Sequence, residues 1–471
     1  MIRSLPPNLA TAPAIAPGDV VELVCTDLIA KTGQAVGRID GLVVYVLGPV
    51  PGERARVRIE SVKAKYAVGE LVERLDSSSD RVQPFCRVFG ECGGCQVQHL
   101  AYPAQLRWKR TIVENALRRI GGIEGARVAD PVGMANPRAY RNKMALVVER
   151  APAVSFGFYA ARTHDVVPIE TCPIVAPALD RTLAGLWQSA RDASMSSAFG
   201  HVRHVVARTG LATGEGVVSL TTERADPEVA QTAPALAARL PDVVGIANSF
   251  DPPSENAVMG RKQRTVFGAS EMTETIGDLR FRVSAASFFQ VNSEMVGRIF
   301  AYLAPGVRAD LRIIDLYCGA GTFALFFAKR AATVVGIEEN PHAVREAKAN
   351  ATLNGVSDRA TFLAGRVETT LRSSAGRAAL GSADIVFLDP PRKGGDEATF
   401  ETLARARVPH VWYLSCNPAT LARDVSQLVR GGYRLGAVQP FDMFPQTGHI
   451  EVLAALHREG ARPFAFAASA A

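Results

Sequence analysis

The sequence predicts an α/β protein. Its C-terminal half reads as a seven-stranded, doubly wound, mostly parallel sheet, preceded by a small β-barrel and a central α+β region. Three observations predict this. From about residue 281, short apolar segments alternate with helical ones, whereas residues 18 to 75 alternate at the two-residue period of strands. Between these regions, three cysteines fall within ten residues, at 86, 92 and 95. At 471 residues, 48% hydrophobic and 21% charged, the chain is long enough for about three domains with buried cores.

Lys+Arg 53 against Asp+Glu 46 gives a net charge of +7, a balance that permits a nucleic-acid partner without requiring one. Residues 1–17 are rich in proline and alanine and read as a flexible N-terminus without the apolar core of a signal peptide. No run approaches the roughly 18 apolar residues needed to cross a bilayer. Seven cysteines without an export signal point to a reducing compartment, the cytoplasm, and to metal or catalytic use of thiols.

In residues 18–78, Val20–Leu23, Val43–Val46 and Arg54–Ile59 read as strands, with Asp40-Gly41 and Pro51-Gly52 as turns. Several short strands in so few residues fit a closed barrel. Arg54, Arg56 and Arg58 fall on one face, as phosphate contacts would need, although a merely solvated face accounts for them too.

The region 79–280 begins with Cys86-x5-Cys92-Gly93-Gly94-Cys95. Three thiols at this spacing suit zinc or an iron–sulfur cluster, and Cys172 is the best candidate for a fourth ligand. Radical enzymes, by family resemblance, have three residues between their first two cysteines, whereas here there are five, so the cluster reads as structural or RNA-positioning. Residues 100 to 120 read as a helix stopped by Gly121-Gly122, and it can pack on the C-terminal domain. Two basic knots follow, Arg138–Lys143 around Tyr140 and Arg261–Arg264. An aromatic flanked by cations can stack a base, and an ordinary polar turn fits as well.

In residues 281–457 the predicted strands are Ile313–Leu316, Thr333–Glu338, Ala360–Leu363, Asp384–Leu388, Val411–Leu414, Tyr433–Val438 and Ile450–Leu456. Their alternation with helices is Rossmann-like and places ligands at the carboxyl ends of strands. Gly319-x-Gly321 lets the backbone approach a nucleoside, and Glu338 can accept from both ribose hydroxyls. The third glycine of a dinucleotide fingerprint is missing. The arrangement suits S-adenosylmethionine, which has a ribose and no phosphates. Residues 458–471 read as a flexible tail.

Asp389-Pro390-Pro391-Arg392 pins a carboxylate at another strand end. Cys416 lies between the strand Val411–Leu414 and the helix start Asn417-Pro418. Helix amides there would lower its pKa, although a small core thiol is the competing reading. Glu451 opens an apolar strand, and burial there would raise its pKa toward that of a general base. His449 is the competing base.

These segments resemble one family. Gly37–Gly41 and Leu47–Glu53 are similar to a TRAM domain, an oligonucleotide-fold-like RNA-binding barrel. The cysteine cluster, Ser287-Phe288-Phe289-Gln290-Val291-Asn292, Asp315–Thr322, Asp389–Arg392, Ser415–Pro418 and His449–Glu451 resemble the RNA uridine-5-methyltransferases, specifically the iron–sulfur branch acting on 23S ribosomal RNA. The resemblance covers residues 18 to about 457. It implies Cys416 as nucleophile and Glu451 as base. It also implies a [4Fe-4S] cluster on Cys86, Cys92, Cys95 and Cys172, and a cofactor and target pocket lined by Gln290, Tyr317, Gly319, Gly321, Thr322, Glu338 and Asp389. Thr322 stands where some members have asparagine, and Gly365-Arg366 where an amide or acid often meets the adenine. The expected partner is 23S ribosomal RNA, with no membrane and no obligate protein partner, the enzyme being a monomer. A transfer RNA uridine-5-methyltransferase and a non-catalytic ribosome-assembly factor are the rival readings.

Overall fold

The computed structural model describes residues 15–150, 153–254 and 257–467, so most of the expected flexible N-terminus and the last residues of the expected tail lie outside the described residues. The chain forms two compact units. One contains residues through Gly90 with 95–105 and 446–448; the other contains 91–94, 106–445 and the chain from His449.

In the first unit, Val20–Val24, Asp27–Leu28, Ala35–Ile39, Leu42–Val46, Arg54–Val62 and Tyr66–Arg74 form a six-stranded sheet. Val20–Val24 and Asp27–Leu28 are separated by two residues, yet they occupy opposite edges of the strand order. A sheet whose two edges are one continuous piece of chain is closed on itself, a barrel. Along Arg54–Val62 the alternation is strict, with Ala55, Val57 and Ile59 buried and Arg54, Arg56 and Arg58 exposed. Arg54 pairs with Asp76 at 2.9 Å, and Arg56 with Glu22 and Glu73 at 3.2 and 3.0 Å. Two of the three arginines are thus already partly neutralised, and among the described residues Arg58 alone of the three has no ion pair. Inside the barrel, burial pushes the Glu53 carboxyl up. Hydrogen bonds from Arg81 and from the Val50 and Ser78 amides outweigh that and hold it below its usual value.

In the second unit, residues 106–119 of the amphipathic helix Tyr102–Arg119 send Val113, Ala116 and Leu117 into the core of the C-terminal sheet. The central sheet comprises Lys143–Glu149, Ser155–Tyr159, Val166–Pro168, His204–Thr209, Gly216–Thr221, Val243–Phe250 and Lys262–Gly268. Counted in chain order, its strands lie 7-6-5-4-1-2-3. Its last strand is an exposed edge. Tyr140, the aromatic of a basic knot that fitted base stacking or an ordinary polar turn, is buried and donates to the Pro445 carbonyl at 3.1 Å, so it cannot stack a base.

The C-terminal sheet holds Arg312–Leu316, Thr333–Glu338, Ala360–Ala364, Ile385–Leu388, His410–Ser415, Tyr433–Phe441 and Glu451–Arg458, in the order 3-2-1-4-5-7-6. The first five run parallel. The seventh inserts antiparallel between the fifth and sixth. Beyond it, Phe466 stacks on Tyr302 at 5.1 Å, and Phe464 meets Trp412 edge-on at 5.4 Å, so this part of the expected tail is held by aromatic contacts. Among the described residues, no helix is long and apolar enough to cross a membrane.

Candidate active site

The strand His410–Ser415 is buried throughout and ends one residue before Cys416. Asn417 then caps the following helix, its side chain accepting from the Ala419 amide at 3.1 Å, with Pro418 in the first turn. The antiparallel register pairs Ser415 with Val452, so the next position sets Cys416 beside Glu451. Parallel pairing of Leu388 with Tyr413 brings Asp389 to the same end of the sheet. Three residues far apart in the chain therefore converge because two parallel strands end where the antiparallel one begins.

Buried Asp424 fixes the loop between them. Its carboxylate accepts from the Tyr413 hydroxyl at 2.7 Å, the Gly395 amide at 3.0 Å and Arg423 at 2.6 Å. Gly394 has a φ of +83°, and a Cβ there would meet the Asp424 carboxylate at 2.4 Å, so only glycine lets the loop close. The Asn417 side-chain amide donates to the Arg392 carbonyl at 3.0 Å, holding the Asp389–Arg392 segment against the cysteine turn.

The electrostatics differ from expectation at one point. Burial, and then the charges of Glu451 and Asp389, push the Cys416 thiol up to about 11, with Arg392 opposing. Burial and the acids together outweigh the depressed pKa expected from the helix start. Glu451 is 2% exposed, and burial and the Asp389 charge hold it well above the usual carboxylate range, the expected direction. Burial also raises Asp389, opposed by a hydrogen bond from Gln290 at 3.0 Å. His449 is pushed down to about 4 by burial and by Arg392, Lys109 and Arg141. It is therefore neutral at pH 7 and accepts from Arg392 at 3.3 Å.

On the cofactor side, Tyr317 has a φ of +65°, which is costly for a bulky residue, and Gly319 and Gly321 share the left-handed region. The Gly319 amide donates to Glu338 at 3.0 Å and the Asn340 amide to its other oxygen at 2.8 Å, which fixes that carboxylate at its strand end. A cleft of about 1820 Å³ is lined by Gln290, Tyr317, Gly319, Glu338, Asp389, Cys416 and Glu451. Thr322 lies in a narrow recess beside it with Tyr317 and Asp389. Gly321 lines neither and serves as the helix N-cap. Of the basic knots, Arg261, just before the exposed edge strand, and Gln263 on it reach the cleft wall.

Sequence reasoning did not single out Asp315, Arg392, Asn142 or Arg208. Asp315 lines the recess, and burial and then the Asp389 charge raise it well above the carboxylate range. Arg392 lines the cleft beside Cys416. Asn142 donates to the Gln290 carbonyl at 2.9 Å, and Arg208 to the Ser287 carbonyl at 2.8 Å, so the central sheet positions Gln290. Asp315 and Arg392 lie inside quoted motifs. Asn142 and Arg208 had no signal beyond their own basic or polar surroundings.

Cys86, Cys92, Cys95 and Cys172 are unbridged and half-buried. The Gly94 amide points at Cys92 Sγ at 3.4 Å, a contact that a coordinated thiolate accepts. Four thiols are a donor set that fits an iron–sulfur cluster chemically. Among the described residues, however, no group of three or more His, Cys, Asp or Glu side chains is arranged to hold a metal ion.

Residues 257–459 match the family model described as tRNA (Uracil-5-)-methyltransferase, and residues 17–72 match the TRAM domain. The chain is 38% identical to an uncharacterized RNA methyltransferase of Halalkalibacterium halodurans, over 93% of this chain and 97% of that one. It is 35% identical to another from Bacillus cereus, over 95% and 98%. Among solved structures it is similar to the Pyrococcus abyssi tRNA (uracil-54, C5)-methyltransferase in complex with S-adenosyl-L-homocysteine. That likeness is 28% identity and a TM-score of 0.73, over 92% of this chain and 99% of that one. With a TRAM domain ahead of a doubly wound sheet, and a thiol beside a buried acid where two of that sheet's inner strands meet, the chain belongs to the S-adenosylmethionine-dependent RNA uracil-5-methyltransferase family.

Proposed function

We propose that the enzyme methylates C5 of a uridine in 23S ribosomal RNA, acting in the cytoplasm as a monomer, with Cys416 as nucleophile and Glu451 as base. The observation that carries the chemistry is the register that sets Cys416 against Glu451 in the wall of the cleft that Gln290, Tyr317, Gly319, Glu338 and Asp389 also line. Uracil C5 is too weak a nucleophile to take a methyl group from a sulfonium directly. Cys416 gives up its proton to solvent and its thiolate adds to C6, leaving an enolate whose C5 takes the methyl group as the sulfonium becomes a thioether. Glu451, as carboxylate, then removes the C5 proton; that electron pair restores the C5–C6 double bond as the C6–S bond breaks and Cys416 leaves. Arg392, beside Cys416, favours the thiolate. Gly319, Gly321 and Thr322 shape the cofactor loop, and Glu338 is aimed at the ribose. The target base must be flipped out of its stack to reach this wall.

The family resemblance and the thiol donor set support a [4Fe-4S] cluster on Cys86, Cys92, Cys95 and Cys172. Its place is structural; no step of the methylation passes through it. The same resemblance supports the ribosomal target. A tRNA target is the second reading, favoured by the Pyrococcus tRNA enzyme aligning over 92% of this chain, which removes the barrel as a discriminator. Purified enzyme with unmodified 23S RNA and tRNA transcripts decides between them: 5-methyluridine is expected in 23S RNA, and label confined to tRNA overturns the ribosomal assignment. The Cys416→Ala variant is expected to lose methyl transfer below detection while still binding S-adenosylmethionine by calorimetry. Retained turnover removes Cys416 as the nucleophile.

A further inference from the structure

Lys143 and Arg208 are directly opposed across an antiparallel strand pair, so both side chains lie on one face of the central sheet. Like charges at such a pair are destabilising unless an anion offsets them. Arg208 is 1% exposed. Its Nη atoms donate to the Ser287 and Phe289 carbonyls at 2.8 and 3.4 Å, while its Nε has no partner among the described residues. Arg141 adds a third cation, its Nε donating to the Lys143 carbonyl at 3.0 Å. Among the described residues the half-buried Lys143 ammonium has no hydrogen bond and no ion pair. Burial, Arg208 and Arg141 push it down to about 8. The acid within electrostatic reach of Arg208 is Glu346, but it accepts from the Ser284 and Ser287 hydroxyls, and burial raises its own pKa, so it is poorly placed to neutralise three cations. The face of the sheet that carries them supports Ser287 and Phe289, which line the cleft.

We propose that Lys143, backed by Arg141 and Arg208, is a seat for one phosphodiester of the bound RNA next to the target uridine. A phosphate oxygen would complete the hydrogen bonding of the ammonium and offset the like-charge pair. The strand register would then tie RNA docking to the Ser287–Gln290 loop through Arg208. This rests on the reading of the substrate as RNA and not on which RNA it is.

The test measures binding of whichever transcript, 23S RNA or tRNA, the wild-type enzyme methylates, as a function of KCl concentration. Loss of one phosphate contact is expected to make the slope of log K against log[salt] shallower by about 0.7 to 0.9 in Lys143→Met. Lys143→Arg is expected to keep the wild-type slope, and both variants to keep S-adenosylmethionine affinity. Inorganic phosphate should compete with RNA on the wild type more strongly than on Lys143→Met. An unchanged slope in Lys143→Met overturns the seat. So does a Lys143→Met variant that gains thermal stability with full RNA affinity, which marks a buried packing charge. Phosphate that stabilises the wild type without displacing RNA assigns the cations to a free anion and likewise overturns it. Failure of the ribosomal assignment shows separately, in which transcript is methylated.

Discussion

In the proposed reaction Cys416 must ionise, yet its surroundings oppose this. Burial and two neighbouring acids raise its thiol to about 11, and Arg392 offsets them in part. Asp315 and Glu451 are buried and Asp389 half-buried, and all three are raised, so a bound cation such as a sulfonium would favour their carboxylate forms. The sign for stability follows from linkage. An acid whose folded-state pKa is raised contributes stability present below its unfolded value and lost as pH rises through the folded value. The Asp389 contribution should therefore fall as pH rises from about 4 to about 7, against the opposite trend of His99, His410 and His449, each pushed down to about 4, and the stability of Asp389→Asn should fall less, or rise more, over that range than that of the wild type. The same pH dependence in the variant would remove Asp389 as a contributor. Glu451→Gln removes the proposed base but not the nucleophile. A covalent protein–RNA adduct should accumulate on denaturing gels, with product release slowed about 10²–10⁴-fold. Rapid product release from that variant would assign the base elsewhere.

At the scale of the element, the strand–turn–helix around Cys416 depends on one buried carboxylate. Asp424 joins the strand through Tyr413, its own helix through Arg423, and the loop after Arg392 through the Gly395 amide. Asp424→Ala leaves the Tyr413 hydroxyl and the Gly395 amide without partners. At about 1–3 kcal/mol for each unsatisfied group, the loss should be about 2–6 kcal/mol by denaturant melts. Turnover should drop more than cofactor affinity, because Glu338 and Gly319 lie on other strands. Equal losses in both would mean that Asp424 supports the whole sheet. The helix start itself was legible from Asn417-Pro418. The thiol's actual pKa was not, because its first cause is burial and its next ones are acids from two other strands.

At the scale of the molecule, the proposed reading gives the reaction to the cleft and the holding of RNA to the barrel and the edge strand near Arg261. The alternating arginines of the barrel were legible, and their pairing with Asp76, Glu22 and Glu73 was not, since those acids come from neighbouring strands and the loop after them. The cysteine cluster is the other whole-chain question, because Cys172 lies far along the sequence from the other three. Enzyme purified without oxygen should carry iron and sulfide, with a broad visible absorbance that Cys92→Ser abolishes. Stoichiometric zinc in their place would overturn the iron–sulfur assignment.

The sequence by itself determined the strand–helix alternation of the C-terminal half, the outward face of the barrel strand, and the motifs that end at strand termini. Each is a local pattern, set by a two- or 3.6-residue period or by a turn residue. Only the tertiary structure decided that the last strand runs back between the fifth and sixth, because strand order depends on long-range pairing that no local period records. That one insertion sets Glu451 beside Cys416. It was the tertiary structure, too, that buried Tyr140 and turned Asn142 and Arg208 into supports for Gln290, since burial depends on what packs over a residue and not on the residues beside it in the chain.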